Sequence, residues 1–235
     1  MQTRTDYEFS EVSLEVLLSD VTRGRVQVPE FQRDVNLTPR WIADLVASVS
    51  LGYPVGAITL LEVGSPLYRI PSRAIHGAPE TDQEPRHLLV DGHHRVSAVY
   101  QALASRPPGL EDPQGEALCL DIALALDANA DRSDALVWTK RSEIDRPTCA
   151  LFPLDLVFAP ASERENWEAK FLATDAPGDS NRRTLLRGFK ETVLAMFEQY
   201  RVPVIGLGEP WTAWTIRMRS GSQGRELTQK YMRHP

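Results

Sequence analysis

The sequence predicts an α+β fold, with one compact mixed domain followed by a mainly helical extension. Short apolar strands and amphipathic helices alternate as far as about residue 150, and a stripe of apolar residues at helical spacing dominates the rest. No internal repeat or low-complexity tract interrupts this pattern. We therefore expect a first domain over residues 1–150 and a mainly helical extension with a basic tail over residues 151–235.

The composition of the 235-residue chain is that of a globular protein, with 42% hydrophobic and 25% charged residues. No window reaches the roughly 18 uninterrupted apolar residues of a membrane helix, so we expect no membrane contact and a cytoplasmic location. The formal net charge of −6 disfavours a surface that binds nucleic acid everywhere and leaves only a local basic patch for DNA. Cys119 and Cys149 match neither disulfide nor metal-ligand spacing, so we expect buried thiols.

The first quarter of the chain predicts two helices and two strands. A helix is expected to begin at Ser13, and residues 26–29 follow as a short strand that ends at a proline. The second helix has the clearest signals, because Thr38 can cap its first turn and Gly52 can close it. An apolar run over residues 57–61 predicts the second strand.

A long stretch without hydrophobic period, residues 64–86, predicts a surface loop or lid. Residues 88–90 then predict a short buried strand. The helix that follows has one apolar face, formed by Val96, Val99, Tyr100 and Leu103.

The second half of the chain begins with alternating large apolar residues over 118–126, which predict a half-buried strand. Residues 135–138 are a candidate partner strand. A short helix is expected over residues 167–172. A longer helical stripe is formed by Leu186, Phe189, Val193, Phe197 and Tyr200.

The junction Val-Asp-Gly-His-His-Arg, residues 90–95, is the first candidate site. A helix N-terminus has unpaired N–H groups and a partial positive charge, so it attracts phosphate. Gly92 allows close approach of the backbone, while Arg95 and one of the two histidines can add charge-assisted contacts. Asp91 can cap the helix or help to hold a divalent cation. The alternative is that Asp91 is only a cap and that the histidines are surface residues.

A second candidate site follows the first strand, over residues 29–33. Here a strand end delivers the carboxylate of Glu30, the amide of Gln32 and the guanidinium of Arg33 in one short loop, which suits contact with a ligand. The alternative is an exposed turn whose Phe31 side chain lies in the core.

Together, these segments resemble the ParB-like domain that forms the nucleotide-hydrolysing half of GmrSD-type modification-dependent restriction systems. Residues 29–33 are similar to that family's Pro-x-Phe-Gln-Arg segment, and residues 41–61 to its Trp-containing helix, Gly-Tyr-Pro turn and strand. Residues 91–95 are similar to its Asp-Gly-Gln-Gln-Arg motif, with histidine at both glutamine positions. Residues 200–205 resemble its Tyr-x-Ile-Pro-Val-Ile segment, so the resemblance extends over about residues 10–207.

The resemblance implies a ParB/sulfiredoxin-like nucleotide-binding fold over the first domain. It also implies Mg²⁺-dependent hydrolysis of a nucleoside triphosphate by a regulatory or sensing component of a prokaryotic defence system against foreign DNA. The residues implied in nucleotide binding are Gln32, Arg33, Gly92, His93 and Arg95. Those implied in catalysis are Asp91, Glu30 and His94, with Asp91 also holding Mg²⁺.

Two departures from the family pattern leave other functions open. The Asp-Gly-His-His-Arg form of residues 91–95 is closer to other ParB/sulfiredoxin-like proteins, including free serine kinases. The alternatives are therefore a nucleotide-dependent binding module without turnover, a metal-dependent DNA nickase and a small-molecule kinase of the serine type. The tail from residue 209 lacks the family's asparagine-containing segment, and its arginines and tryptophans form a candidate DNA patch. Because a His-Asn-His nuclease signature is absent from the sequence, we expect a separate nuclease partner.

Overall fold

The computed structural model describes residues 7–63, 70–104, 115–144, 150–173 and 181–208. These residues form a mixed structure of helices and strands, as the α+β prediction requires. Its strands are β1 (Tyr7–Ser13), β2 (Val26–Pro29), β3 (Ile58–Glu62), β4 (Ser72–Arg73), β5 (His87–Asp91), β6 (Glu116–Asp121), β7 (Leu136–Lys140), β8 (Leu151–Pro153) and β9 (Arg201–Leu207). Its α-helices are α1 (Leu14–Thr22), α2 (Pro39–Ser50), α3 (His93–Leu103), α4 (Ile122–Leu126), α5 (Arg141–Ile144), α6 (Ala161–Ala173), α7 (Asn181–Phe189) and α8 (Ala195–Gln199).

The chain divides into two compact units that alternate along the sequence. The first unit joins the segment up to Asn36, residues Gly56–Ser97 and the segment from Arg201, and the second joins Leu37–Val55 and Ala98–Tyr200. The boundary between them therefore falls within α3. These units are defined by contacts, and the division at residue 150 into separate domains stays a prediction.

The first unit is built on a six-stranded sheet in the order β1-β9-β3-β5-β2-β4. The pairs β2 with β5 and β3 with β9 are parallel, and the remaining neighbours are antiparallel. Helix α1 begins where Ser13 Oγ accepts a hydrogen bond from Val16 N at 3.3 Å, as the predicted start at Ser13 requires. Its buried residues are Leu14, Leu17, Leu18 and Val21.

Strand β5 is the buried centre of this sheet and determines where the candidate site lies. Its residues Leu88, Leu89 and Val90 are at most 2% exposed. Because β2 runs parallel to β5, with Val26 opposite His87, the carboxyl ends of both strands meet at the same edge of the sheet. The loop after β2 and the junction after β5 are therefore neighbours.

The second unit contains a three-stranded antiparallel sheet in the order β7-β6-β8, together with helices. Helix α2 is capped by Thr38, whose Oγ1 accepts from Trp41 N at 3.2 Å, as predicted. The predicted apolar stripe from Leu186 to Tyr200 is confirmed as buried, and it lies on α7, a π-helical turn (Lys190–Leu194) and α8. Trp41, in the first turn of α2, is 39% exposed.

The strand predicted over residues 118–126 is wrong in its second half. Strand β6 ends at Asp121, whose carboxylate accepts from the N–H groups of Ala123 and Leu124 and so begins α4. Both faces of β6 are covered, since residues 117–120 are all buried. The alternation of large and small residues in β6 therefore does not indicate one buried and one exposed face, because the small residues are buried as well.

Four strands were absent from the sequence prediction: β8 and β9, which lie in the part expected to be mainly helical, and the edge strands β1 and β4. Strand β1 is largely exposed and forms by pairing with β9. Strand β4 lies in the region predicted as an irregular loop, pairs with β2 and is followed by Ile75, which is 1% exposed. The loop prediction is therefore corrected for residues 72–75, while residues 76–86 contain no helix or strand, as predicted, and residues 64–69 lie outside the described part of the chain.

Other predictions fall on residues that the structure does not describe. The basic tail from residue 209 and Cys149 belong to this group. Cys119 is buried, as expected. In the described part of the chain, every helix is too short or too polar for a bilayer-spanning segment.

Candidate functional site

The predicted strand-to-helix junction is present, with Gly92 between β5 and α3. Gly92 has a φ of +91°, a backbone conformation that is strained for any residue with a side chain. A Cβ atom on this residue would lie 2.9 Å from Ile58 Cγ2, which is too close. The first hydrogen bond of the helix runs from Val96 N to Gly92 O at 3.0 Å, so the N–H groups of the preceding turn have no carbonyl partner within the helix.

Arg95, in the first turn of α3, connects the helix to the segment before β3. Its Nη2 donates to Ala57 O at 2.9 Å and lies 3.7 Å from Asp91 Oδ2. The guanidinium also lies against Gly56, where an added Cβ would overlap Nη1. Arg95 was predicted as a phosphate contact. The structure shows that its guanidinium also bonds the backbone of the segment before β3.

Asp91 ends β5, opposite Thr59, and its side chain is 44% exposed. Among the residues described, no three His, Cys, Asp or Glu side chains come together as a metal cage. Mg²⁺ usually retains waters and takes one or two carboxylates together with substrate phosphates. Asp91 is a carboxylate of that kind, so the donor set fits Mg²⁺ that arrives with a phosphate ligand.

The loop after β2 is bound directly to the end of β5. Gln32 Nε2 donates to Val90 O at 2.8 Å, and Gln32 N closes a turn onto Pro29 O at 3.0 Å. Glu30 and Arg33 have exposed side chains, and Arg33 makes no ion pair with a described residue. The two predicted segments are thus brought together, but the Gln32 amide nitrogen bonds a backbone carbonyl.

His93, the first residue of α3, is buried, which corrects the alternative that both histidines are surface residues. Burial lowers its pKa below 6.5, and the nearby His94 and Arg73 lower it further. A hydrogen bond with the Arg33 backbone and the charge of Asp91 act in the opposite direction. Since that bond favours the protonated ring, the ring donates and the Arg33 carbonyl accepts. His93 is therefore neutral at pH 7.

Two further polar groups lie beside His93 on α3. The His94 ring packs edge to face on His93, with centroids 4.3 Å apart, and the residue is half-buried. Within the described residues, His93 Nε2 and Ser97 Oγ are buried without a hydrogen-bond partner. Ser97 was not predicted, although its spacing of four residues from His93 places both on one helix face.

Arg73, on β4, is a second site residue that the sequence analysis missed. Its Nη2 lies 3.3 Å from Gln32 O, 3.5 Å from Arg33 O and 3.2 Å from Asp34 Oδ1. No local pattern could have revealed it, because it lies in a segment without hydrophobic period, 40 residues from Arg33.

This fold and site define an α+β protein in which arginine, histidine and acidic side chains gather at the junction of a buried strand and a helix N-terminus. Residues 14–198 match the model of the family described as GmrSD restriction endonuclease, N-terminal domain. The chain belongs to this family, which confirms the resemblance predicted from its motifs, and it is a component of a nuclease-containing restriction system for defence. No curated protein sequence matches the chain.

Proposed function

We propose that the chain binds a nucleoside triphosphate at the junction of β5 and α3 and hydrolyses it with Mg²⁺, through a ParB/sulfiredoxin-like site. In this proposal, hydrolysis regulates a nuclease partner of the restriction system. The main supporting observation is the bond from Gln32 to Val90 O, because it joins the Arg33 loop to the end of β5, next to Gly92 and the N-terminus of α3.

In this proposal, exposed and partly exposed groups of the site bind the phosphate and the metal ion. The N–H groups at the start of α3, Arg33 and Arg95 hold phosphate oxygens, and Asp91 holds Mg²⁺. Bound Mg²⁺ neutralises the charge that develops on the transferred phosphoryl group. The exposed carboxylate of Glu30 positions the attacking water, with His94 as a second candidate for proton transfer. His93 contributes through its neutral ring, which fixes the Arg33 backbone.

Calorimetric titration of the parent and of Arg33→Gln with ATP, GTP, CTP and UTP in Mg²⁺ tests this proposal. Loss of one charged contact is expected to weaken binding by about ten- to a hundredfold. Arg23→Gln is the matched control, because Arg23 is an exposed arginine that precedes β2, at the opposite end of that strand from the site. Its affinity should equal that of the parent. A parent protein that binds none of the four nucleotides would overturn the proposal.

Phosphate release separates hydrolysis from the alternative functions. The parent should release phosphate in Mg²⁺ without a hydroxyl acceptor, and Asp91→Asn should lose turnover more than binding. Binding without phosphate release would indicate a binding module, and transfer of the phosphoryl group to added serine, with phosphoserine formed in place of free phosphate, would indicate a kinase. The purified chain should leave plasmid DNA intact, and metal-dependent cleavage that Asp91→Asn abolishes would instead indicate a nickase.

A further inference from the structure

We propose that Arg73 is a positioning residue of this site, which fixes the backbone on both sides of Arg33 and so holds Arg33 beside the first turn of α3. The inference rests on the proposed function, because it assigns Arg73 a role in the binding of phosphate by Arg33. Its basis is the set of contacts that one guanidinium makes with three consecutive residues.

Arg73 Nη2 reaches acceptors along the loop after β2. The Gln32 carbonyl at 3.3 Å, the Arg33 carbonyl at 3.5 Å and Asp34 Oδ1 at 3.2 Å are all within hydrogen-bond or ion-pair range. Each contact is long, and the carboxylate of Asp34 is 98% exposed, so each one is weak. Together they restrain the loop more than any one of them would alone.

The backbone of Arg73 is itself well anchored. Strand β4 pairs with β2, with Arg73 opposite Val28, and Glu30 N donates to Pro71 O at 3.0 Å. Ser72 Oγ donates to the buried Oε1 of Gln27 at 2.7 Å. The guanidinium therefore extends from a fixed strand to the loop, and it holds the backbone of Arg33 at a fixed distance from the sheet.

His93 holds the same segment from a different element. Its ring donates to the Arg33 carbonyl, so Arg33 is held by a helix on one side and by β4 on the other. The loop is thus held at the backbone of Arg33, whose side chain is exposed.

Such a restraint affects binding through preorganisation. Arg33 has an exposed side chain, and a loop that also moved would have to be ordered when phosphate binds. With the backbone held, only the side chain loses freedom. Removal of the restraint should therefore reduce the contribution of Arg33 to binding and should leave the contributions of other residues unchanged.

A double-mutant cycle tests this coupling, with inorganic tripolyphosphate and ATP as probes in calorimetry. Arg73→Gln is expected to weaken binding by roughly three- to tenfold in the parent. In the Arg33→Gln background, the same substitution should change the affinity less than about twofold, because Arg73 acts through Arg33. Equal losses in both backgrounds would make Arg73 an independent phosphate ligand and would overturn the inference, as would an unchanged affinity.

A ligand-free measurement distinguishes failure of this inference from failure of the proposed function. In Arg73→Gln, the amides of residues 32–34 should exchange with solvent faster than in the parent. Unchanged amide exchange in Arg73→Gln overturns the inference even if nucleotide binds. A parent that binds no probe overturns the proposed function, whatever the exchange result.

Discussion

Removal of the Arg95 guanidinium should destabilise the ligand-free protein. Arg95 donates to Ala57 O at 2.9 Å in a partly buried setting, and a hydrogen bond with a charged partner contributes about 1.5–3 kcal/mol. The ion pair with Asp91 spans 3.7 Å between partly exposed groups, so it adds less than about 1 kcal/mol. Arg95→Ala should therefore lower the free energy of unfolding by about 2–3 kcal/mol. For a chain of this size, that corresponds to a melting temperature roughly 4–12 °C lower.

Urea unfolding followed by circular dichroism measures this loss without any ligand. Arg33→Ala is the control, because its exposed side chain makes no ion pair with a described residue, and it should stay within about 0.5 kcal/mol of the parent. If Arg95→Ala unfolds at the same urea concentration as the parent, the contact with Ala57 contributes nothing to the free energy of unfolding. The idea that Arg95 stabilises the ligand-free protein is then refuted. Nucleotide affinities of Arg95 variants should be measured well below their lowered melting temperature.

Three further predictions concern stability. Gly92→Ala should lower the free energy of unfolding by more than about 1 kcal/mol in urea titrations, because of its positive φ and the close Ile58 side chain, and an unchanged midpoint would contradict this. The lowered pKa of His93 favours the neutral ring in the folded state, so its stabilisation is complete above pH 6.5 and is lost as the pH falls through the lower, folded-state value. The difference in unfolding free energy between the parent and His93→Gln should follow that profile, and a difference independent of pH would exclude it. Thr38→Ala should cost about 1 kcal/mol while Thr38→Ser restores most of it, which thermal melts can verify.

The elements that the sequence predicted correctly are those with local signals. Helix α2 has its cap at Thr38 and its end near Gly52, and the proline at the end of β2 marks that strand. The apolar face of α3 follows from its helical spacing alone. In each case, the residues that determine the element lie within it or next to it.

The elements that were missed depend on distant partners. Strands β1 and β4 are short of buried apolar residues, and they form because β9 and β2 offer free hydrogen-bonding edges. The end of β6 was missed for a different reason: Asp121 lies within an apolar alternation that continued past it, and its capping role overrides the period.

Several residues of the candidate site could be named from the sequence, but Arg73 and the burial of His93 could not. Motif reasoning identified Gln32 and His93, and the parallel pairing of β2 and β5 explains why their segments meet. Burial of His93 and the contribution of Arg73 depend on how β4 and α3 pack around the loop. No spacing within the sequence encodes that packing.

The polar residues of this junction therefore divide into two groups by what their side chains contact. Gln32, His93 and Arg95 each bond a backbone carbonyl, which places them in the framework that holds the loop, the strand end and the helix together. Glu30 and Arg33 have exposed side chains that make no such bond. A phosphate site needs both groups, because an exposed arginine binds firmly only where its backbone is fixed. The framework residues should consequently tolerate substitution less well than the exposed ones, even where the exposed ones determine the chemistry.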